Sequence, residues 1–311
     1  MGLEYNNCIK YLQIEGPMSK NIVLLLALAV CCIPGRLAAE SQSNFQIAPP
    51  PIAYPYFEAG RSDGRVEPTF ITISSDAADL SLAGIGISAV GRQALSDWVA
   101  FDVQGGMFVL TGQMAGIPPI TPIPTGDGYY YYTRVDGNAD VSMVSFIMSF
   151  NLELQLLKAD EGSLIFFFGP NFGVSSMTIQ TPYSLIVPPP YSNAGSVYSG
   201  YTDTLTVSSS TGGAQFGMQA GLNLGHGVHF TPFFMMSSTS GTATMTDNPG
   251  YSSAGTTSMT ADIPESSVTS FGMDIVIDDM SIGTMLQNIQ SQDEEESSEV
   301  DIFMLRFGFN F

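Results

Sequence analysis

The sequence predicts an all-β fold, a transmembrane antiparallel up-and-down β-barrel of ten strands that follows an N-terminal signal peptide. Three observations predict it. The chain ends in a strand with period-2 alternation, in which apolar side chains share one face. The connections between its alternating segments are mostly short and long in turn, as in membrane barrels. Behind residue 39, no apolar run approaches the roughly 20 residues of a spanning helix, so a membrane crossing must use strands.

The N-terminal segment has the pattern of a signal peptide. The apolar run at residues 22–33 follows Lys20 and precedes Pro34, and it is shorter than the roughly 20 residues of a membrane-spanning helix, which argues against a membrane anchor. Ala38 and Ala39 then offer small residues for cleavage. Residues 1–39 are therefore predicted to be a signal peptide. Within it, residues 1–17 are interpreted as a start-site extension, because a normal leader begins at Met18.

The charge and cysteine content of the mature chain exclude several functions. The whole chain carries a formal net charge of −20, and removing residues 1–39 leaves 6 basic against 27 acidic residues. Phosphate binding needs a basic surface, so nucleic acid is excluded as a partner. All three cysteines precede the predicted cleavage point, which excludes disulfides, a cysteine-based metal site and a cysteine nucleophile. The sequence also contains no cofactor-binding motif and no metal-ligand spacing.

Ten segments of the mature chain alternate between apolar and other residues. They lie at 66–75, 80–92, 96–111, 139–157, 163–179, 212–224, 228–238, 266–277, 281–290 and 299–311. Short connections follow the even-numbered segments and long ones follow the third, fifth and seventh, which is typical of periplasmic turns and extracellular loops. Residues 64–311 are therefore predicted to form the barrel. The proline-rich residues 40–63 cannot join a β-ladder well and are predicted to be a periplasmic tail.

The strand count stays open between eight, ten and twelve. Residues 129–134 and 202–208 also alternate. They are either strand extensions that stand above the membrane or an additional pair of strands.

The last strand carries the most specific signal. Phe303, Leu305, Phe307, Phe309 and Phe311 face one way, and the chain stops on the aromatic residue. This strand resembles the closing strand of Gram-negative outer-membrane β-barrels, whose terminal aromatic residue is recognised by the barrel-assembly machinery. The resemblance is to the small outer-membrane barrel and porin-like superfamily, and it identifies no subfamily. It implies location in the bacterial outer membrane and an assembly signal at Phe307, Phe309 and Phe311. The partners it implies are outer-membrane lipid, lipopolysaccharide, the assembly machinery and periplasmic chaperones.

Strand parity places a set of polar side chains on the face away from lipid. The predicted lumen-facing network comprises Asp102, Glu153, Asp274, Arg306, Gln215, Gln219 and Asn223. Arg306 is its one confident base, because an arginine facing lipid at the midplane would cost roughly 2–4 kcal/mol, and Asp274 is its preferred partner. The network is either a plug of paired charges or the lining of a narrow path for small solutes. Inward glycines such as Gly86 and Gly217 leave space and favour some permeability.

The sequence offers little for catalysis. Its two histidines, His226 and His229, lie at a Gly-His-Gly turn that is predicted to face the periplasm. Outer-membrane proteases of the omptin type instead work through acidic residues and a histidine at the extracellular rim. The predicted function is therefore a non-enzymatic outer-membrane protein with a structural or surface-interaction role. The alternative is a narrow, cation-preferring passive channel, because an acidic mouth attracts cations.

Two stretches of the long connections are candidates for contact with the exterior. The first is the tyrosine stretch Tyr129, Tyr130, Tyr131 and Tyr132, which is expected in an aromatic girdle at the membrane interface or in a ligand-contacting loop. The second is the acidic stretch Asp293, Glu294, Glu295 and Glu296 before the last strand. Its carboxylates are expected to be solvated, and the alternative is that they bridge through Mg²⁺ or Ca²⁺ to lipopolysaccharide phosphates.

Overall fold

The computed structural model describes residues 56–76, 79–117, 123, 131–186, 197–251, 255–291 and 299–311. The predicted signal peptide, Tyr129, Tyr130 and residues 293–296 lie outside the described residues. Within the described ranges, no helix is long and apolar enough to span a membrane. The strands there are β1 (Ser62–Ser75), β2 (Leu80–Ala94), β3 (Val99–Met114), β4 (Tyr132–Val135), β5 (Ala139–Ala159), β6 (Gly162–Ile186), β7 (Val197–Gly225), β8 (Val228–Asn248), β9 (Thr257–Ile277), β10 (Met280–Ser291) and β11 (Glu299–Asn310).

Ten of these strands close into a ring. Each strand from β1 to β11, apart from β4, pairs antiparallel with its neighbour along the chain, and β1 pairs with β11 to close the sheet. The four-residue β4 pairs only with the outer end of β6, at Tyr183–Ile186, beyond the point where β5 stops. The predicted ten-strand up-and-down barrel is therefore confirmed, and the counts of eight and twelve are not observed.

The strands β6 to β9 are longer than the alternation predicts. All four continue past the predicted membrane segment at the end of the barrel that carries the long connections. Residues 202–208 are consequently an extension of β7, and residues 132–134 belong to β4, so neither forms an additional strand pair of the ring. The extensions are rich in threonine and serine, so their outward side lacks the large apolar residues that mark the strand segments below them.

An apolar belt covers the outside of the ring. On nearly every strand the outward side chains are large, apolar and exposed, and examples are Phe70, Ile85, Val109, Phe146, Phe172, Phe216, Phe271, Leu286 and Phe307. Such a belt, outside a ring of alternating strands, is the surface that a membrane barrel presents to lipid. Short turns follow β2, β5, β7 and β9 at one end, which is the periplasmic end in such barrels, and the opposite end is the outer end.

The inside of the ring is filled by two layers of side chains. The charged layer lies towards the periplasmic end and consists of Asp63, Arg65, Glu67, Arg92, Asp102, Glu153, Asp274 and Arg306, all buried. The apolar layer lies towards the outer end and includes Ile71, Ile73, Leu82, Phe108, Leu110, Val141, Met143, Ile147, Ile179, Val268, Met285, Ile302 and Met304. Both layers are almost inaccessible to solvent, so the described part of the lumen is packed.

The inward glycines do not leave open space as the sequence suggested. A Cβ atom at Gly86 would lie 2.2 Å from the ring of Phe108, the residue directly opposite on β3. Gly217 stands in the same relation to Phe167 on β6, at 2.4 Å. In both places a glycine makes room for an aromatic ring from the neighbouring strand. The large rings then fill the lumen that the small residues appear to vacate.

The segment before β1 enters the periplasmic mouth of the barrel. The sequence placed residues up to 63 in a tail, whereas β1 already begins at Ser62 and residues 56–61 pack against the barrel wall. Phe57 is fully buried and contacts Ala94, Ala100 and Ile165. Phe57 of the predicted tail is therefore part of the lumen filling, whereas residues 58–61 are exposed.

Candidate functional site

Arg306 and Arg65 form a closed group with two carboxylates at the centre of the charged layer. Arg306 donates from Nη2 to Asp274 Oδ1 at 2.9 Å and from Nη1 to Glu67 Oε1 at 3.4 Å. Arg65 Nη2 lies 2.9 Å from Glu67 Oε1, and its Nη1 lies 3.8 Å from Asp274 Oδ2. Each arginine thus contacts both acids. The guanidinium of Arg306 also lies 5.4 Å from the centre of the Phe233 ring, a distance at which cation–π attraction contributes.

Two glycines allow this group to span three strands. Gly283 of β10 stands between Asp274 of β9 and Arg306 of β11, opposite both of them. A Cβ atom at Gly283 would lie 1.7 Å from Asp274 Oδ1, so any side chain would block the path between acid and base. Gly308 of β11 similarly lies under the stem of Arg65, whose Cδ would be 2.9 Å from an added Cβ. The ion pairs across the lumen therefore depend on both glycines.

Arg92 organises the second charged group, nearer the periplasmic end. Its Nη2 donates to Asp63 Oδ2 at 2.9 Å, and its Nη1 lies 3.4 Å from Glu153 Oε2. Asp102 lies in the same region and accepts a hydrogen bond from Asn151 Nδ2 at 2.9 Å. The side-chain oxygen Oδ1 of Asn151 in turn accepts from Gln215 Nε2 at 2.9 Å, which extends the chain of polar contacts across β3, β5 and β7. Charge-assisted contacts of this kind are the strongest available to a buried acid.

The structure places most of the predicted network in the lumen. Asp102, Glu153, Asp274, Arg306, Gln215 and Gln219 are all at most 2% exposed. Asn223 differs, because it lies exposed at the last turn of β7, where its side chain donates to the Asp160 carbonyl and accepts from the Gly225 backbone amide. It has the inward parity but lies below the rim, where it holds the periplasmic turns together instead of joining the network.

Sequence reasoning missed half of the charged layer. Arg65, Glu67 and Asp63 come from the start of β1, and Arg92 from the end of β2. The statement that Arg306 is the one confident lumen base is therefore incomplete, since Arg65 and Arg92 are also buried there. Glu67 and Arg92 already lie on the inward side of the predicted segments 66–75 and 80–92, and extending the first segment back by three residues would have added Arg65 and Asp63. The mixed composition near the strand ends hid that parity.

Residues 56–58 are held in the periplasmic mouth by specific contacts. The Phe57 backbone amide donates to Gln155 Oε1 at 3.1 Å, and Gln155 Nε2 donates back to the Phe57 carbonyl at 3.3 Å. Arg92 donates to the Tyr56 carbonyl at 3.1 Å and lies 5.3 Å from the centre of the Phe57 ring. Lys158 donates to the Phe57 carbonyl at 3.4 Å. The paired amide contacts of Gln155 imitate a β-bridge, so the wall recognises the tail backbone and its aromatic side chain together.

Tyrosines close the outer end above the apolar layer. Tyr131, Tyr183, Tyr201 and Tyr251 contact one another edge-on or tilted, with ring centres 5.6–5.9 Å apart. The Tyr183 hydroxyl donates to the Pro249 carbonyl, which ties β6 to the end of β8. Burial beside Asp203 raises the pKa of Tyr183 to about 12, so this hydroxyl stays protonated. Of the predicted tyrosine stretch, Tyr131 belongs to this group, whereas Tyr132 begins β4 and is exposed.

Asp203 and Asp247 lie beneath these tyrosines, in the outer extensions of β7 and β8. Both are 3% exposed, and they lie close enough for the charge of Asp247 to act on Asp203. Burial, together with the charge of Asp247, raises the pKa of Asp203 to about 7. Asp203 is therefore protonated at mildly acidic pH and charged at alkaline pH.

The predicted assembly residues face lipid at the seam of the barrel. Phe307, Phe309 and Phe311 are 44%, 52% and 78% exposed on the outside. The Phe311 backbone amide and carbonyl both bond to Gly64 at 2.9 Å, so the last residue completes the closing pair of strands. A Cβ atom at Gly64 would lie 2.4 Å from the Phe311 ring, so the terminal ring covers Gly64 on the outside of β1.

The two histidines lie at the periplasmic end. His226 is an exposed turn residue with a φ of 55°, and His229 lies at the mouth beside Tyr56, with ring centres 6.4 Å apart. Within the described ranges, no group of three or more histidine, aspartate or glutamate side chains could hold a metal ion.

No protein-family model and no curated protein matches the chain. The outer-membrane protease OmpT from Escherichia coli is similar in structure, with 7% identity over 80% of this chain and 96% of that chain and a TM-score of 0.43. The attachment invasion locus protein Ail of Yersinia pestis has 10% identity over 81% of this chain and 99% of that chain, with a TM-score of 0.31. The outer membrane protein OprG from Pseudomonas aeruginosa has 11% identity over 82% of this chain and 97% of that chain, with a TM-score of 0.31. At these values none of them carries an inference about activity.

Proposed function

We propose that this chain, an integral β-barrel protein of the Gram-negative outer membrane, is a closed, non-enzymatic barrel with a structural or surface-interaction role. The observation that carries the proposal is the filled lumen. A solute crossing the barrel would have to pass residues 56–58, then the charged layer, then the apolar layer. The side chains of each region are buried and packed against one another. The features that remain accessible are the lipid-facing belt and the outer extensions of β6 to β9.

The apolar layer is the strongest argument against ion passage. Its side chains offer no oxygen to replace the hydration shell of an ion, and transfer of an unpaired charge into such surroundings costs many kcal/mol. Phe108 and Phe233 are buried within it and lie across glycines of neighbouring strands. The layer therefore blocks ions whether or not the charged layer is hydrated.

The absence of catalysis is supported by where the chemistry-bearing residues lie. Both histidines are at the periplasmic end, and the buried carboxylates Glu67, Glu153 and Asp274 are in ion pairs with arginine. An enzyme that acts on surface substrates would need its acid or base at the outer end. At that end Asp203 has a raised pKa, but its carboxyl group is buried beneath the tyrosines.

Conductance in a planar lipid bilayer tests the proposal. The refolded protein is expected to give no stepwise single-channel current in 1 M salt, and a known open barrel inserted under the same conditions serves as the positive control. Insertion is verified independently by protection of the barrel from protease. Reproducible current steps from verified, inserted wild-type protein would overturn the closed-barrel function and favour the narrow cation-preferring channel.

The proposed partners follow from the location. Outer-membrane lipid contacts the belt, the barrel-assembly machinery reads the last strand, and periplasmic chaperones carry the unfolded chain. For the acidic residues 293–296 the expectation remains a solvated stretch, and the alternative is that they bind Mg²⁺ or Ca²⁺ that bridges to lipopolysaccharide phosphates, since hard cations take oxygen ligands.

A further inference from the structure

A regular array of hydroxyl groups covers the outward side of the strand extensions. We call it the hydroxyl face, and it consists of Ser176 and Thr178 of β6, Ser208 and Thr206 of β7, Thr244 and Thr246 of β8, and Thr260 and Ser258 of β9. These residues are in register across four strands. One row runs Thr178, Thr206, Thr246, Ser258, and the next runs Ser176, Ser208, Thr244, Thr260.

The spacing of the array follows from sheet geometry. Neighbouring strands lie roughly 4.8 Å apart, and residues two apart on a strand are separated by roughly 6.7 Å. Thr244 and Thr260 are within 3.1 Å of each other through their hydroxyl oxygens, and Thr246 and Ser258 within 3.3 Å. Each hydroxyl in such a pair keeps an unused lone pair or proton. The face therefore presents donors and acceptors in a fixed, nearly flat grid.

The hydroxyl face continues directly from the lipid-facing belt. On β7 the outward side changes from Phe216 and Ala214 to Ser210 and Ser208 within four residue pairs of the sheet. On β8 the outward side changes from Phe234 and Met236 to Ser238 and the polar residues that follow it. The first row also extends in register to Ser142 of β5 and Thr111 of β3, where the strands end close to the belt. The grid thus rises from the membrane boundary, at the height where the sugars of lipopolysaccharide surround a barrel.

The charge of the surroundings decides which part of lipopolysaccharide fits. None of the eight residues of the face is ionisable, and the outward neighbours Asp140 and Asp262 are acidic. The nearest described arginine on the extension, Arg134 of β4, is ion-paired with Asp136. Phosphate groups would be repelled by the acids and would find no cation. Uncharged sugar hydroxyls match the grid in both chemistry and spacing.

We propose that the hydroxyl face binds the neutral oligosaccharide portion of neighbouring lipopolysaccharide molecules. Sugar hydroxyls exchange hydrogen bonds with the threonine and serine hydroxyls, and sugar C–H groups rest on the threonine methyl groups. The proposal deepens the surface-interaction role proposed above and rests on it. Conductance could refute the closed lumen without bearing on the sugar contacts. Failure of the sugar contacts would likewise leave the closed lumen untouched.

Isosteric substitution tests the proposal. Thr206→Val with Thr244→Val removes two hydroxyl groups while keeping shape and strand propensity. The matched control, Thr206→Ser with Thr244→Ser, keeps the hydroxyls. The apparent affinity of each refolded protein in micelles is measured for lipopolysaccharide with a complete core oligosaccharide and for lipid A, which lacks the core. A neutral hydrogen bond contributes about 0.5–1.5 kcal/mol, so the double valine variant is expected to bind complete lipopolysaccharide about tenfold more weakly.

The control and lipid A define the outcomes. The serine variant is expected to bind complete lipopolysaccharide like the wild type, and all three proteins are expected to bind lipid A equally. Equal binding of complete lipopolysaccharide by the valine variant and the wild type overturns the proposal. So does a wild type that does not distinguish complete lipopolysaccharide from lipid A. A change of oligomeric mass in the valine variant without any lipopolysaccharide would instead assign the face to contact between copies of this chain.

Discussion

Arg65 and Arg306 show, at the residue scale, how charge is kept inside a wall that faces lipid. Each guanidinium contacts both Glu67 and Asp274, so the four groups together are electrically balanced. The planar fork of arginine suits such shared contacts better than the ammonium of lysine does. A buried ion pair of this type contributes little net stability compared with apolar packing, but removing one partner leaves an uncompensated charge. Mutations should therefore test what happens when the contact between acid and arginine is broken.

Gly283→Ala is expected to destabilise the barrel, because its Cβ would displace the Asp274 carboxylate from Arg306. The loss in the free energy of unfolding should approach the roughly 3–5 kcal/mol that breaking a buried ion pair costs. Urea unfolding in lipid vesicles measures it. Gly91→Ala on β2 is the matched control, because an added Cβ there meets nothing within 4 Å. Equal stability of the two variants would mean that Asp274 can reach Arg306 by another path.

Direct substitution of the arginine gives the companion measurement. Arg306→Ala should destabilise at least as much as Gly283→Ala, since it leaves two carboxylates with one arginine. Arg306→Lys should be milder, because a cation is retained although the fork geometry is lost. The same unfolding assay applies. A lysine variant as unstable as the alanine variant would show that geometry, and not charge, holds this group together.

The raised pKa of Asp203 predicts that the stability of the outer parts of β7 and β8 depends on pH. Its pKa in the folded protein, about 7, lies above its ordinary value of 3.8, so ionisation is harder in the folded state. The stability that the protonated group provides is fully present below the ordinary value and is lost as the pH rises towards 7. Hydrogen-exchange protection in the outer parts of β7 and β8 should therefore be at least several-fold higher at pH 5 than at pH 8.

Asp203→Asn should remove this pH dependence. The amide stays uncharged at both pH values, so protection in the variant should be equal at pH 5 and pH 8. Asp262→Asn serves as the control, because Asp262 is an exposed acid in the outer extension of β9. Equal hydrogen-exchange protection of the wild type at pH 5 and pH 8 would show that the carboxyl groups of Asp203 and Asp247 do not interact as described.

At the scale of elements, alternation identified all ten ring strands and failed mainly at their ends. The belt-facing parts of strands such as β7 and β11 repeat with period two, because one side meets lipid and the other the lumen. Above the belt the outward side of β7 carries hydroxyl groups instead of large apolar residues, so the alternation at residues 202–208 could not be recognised as an extension of the same strand. Below it, charged residues such as Arg65 and Arg92 interrupt the pattern although they face inward. The strand ends above and below the belt are set by register and packing, and alternation alone does not predict either.

Phe311 is expected to be important for assembly of the last element. Its backbone bonds twice to Gly64 and its ring lies across β1, so it completes the seam between first and last strands. Phe311→Ser should lower the level of heat-modifiable, folded barrel in the outer membrane. Phe101→Ser on β3 is the control, since it also removes an exposed aromatic residue from the belt. Full assembly of a chain lacking residues 303–311 would contradict the expected role.

At the scale of the whole molecule, the fold was more accessible to sequence reasoning than the site was. The belt, the strand count and the inward position of Arg306 follow from a period of two. The closing of the lumen does not, because it depends on pairs such as Gly86 with Phe108, which meet only through register. The docking of Phe57 on Gln155 and Arg92 likewise joins residues far apart in the chain. Such contacts turn a set of inward side chains into a sealed interior.

The last prediction follows from the arrangement of barriers in series. The tail contacts and the apolar layer each block the lumen, so removing one should leave the other intact. A tail variant with Phe57→Ala and Gln155→Ala should stay non-conducting in a planar bilayer. An apolar-layer variant with Ile71→Ser and Met304→Ser should also stay closed, because the tail still fills the periplasmic mouth.

The combination of all four substitutions should give measurable current. The open path would pass the charged layer, where among the described residues five buried carboxylates stand against three arginines. Such an excess attracts cations, so the current should be cation-selective, and the selectivity should weaken as salt screens the charges. Thermal unfolding of every variant verifies that the barrel remains folded. Conduction by the tail variant alone would show that the apolar layer is no barrier, and anion preference in the combined variant would contradict the described charge distribution of the lumen.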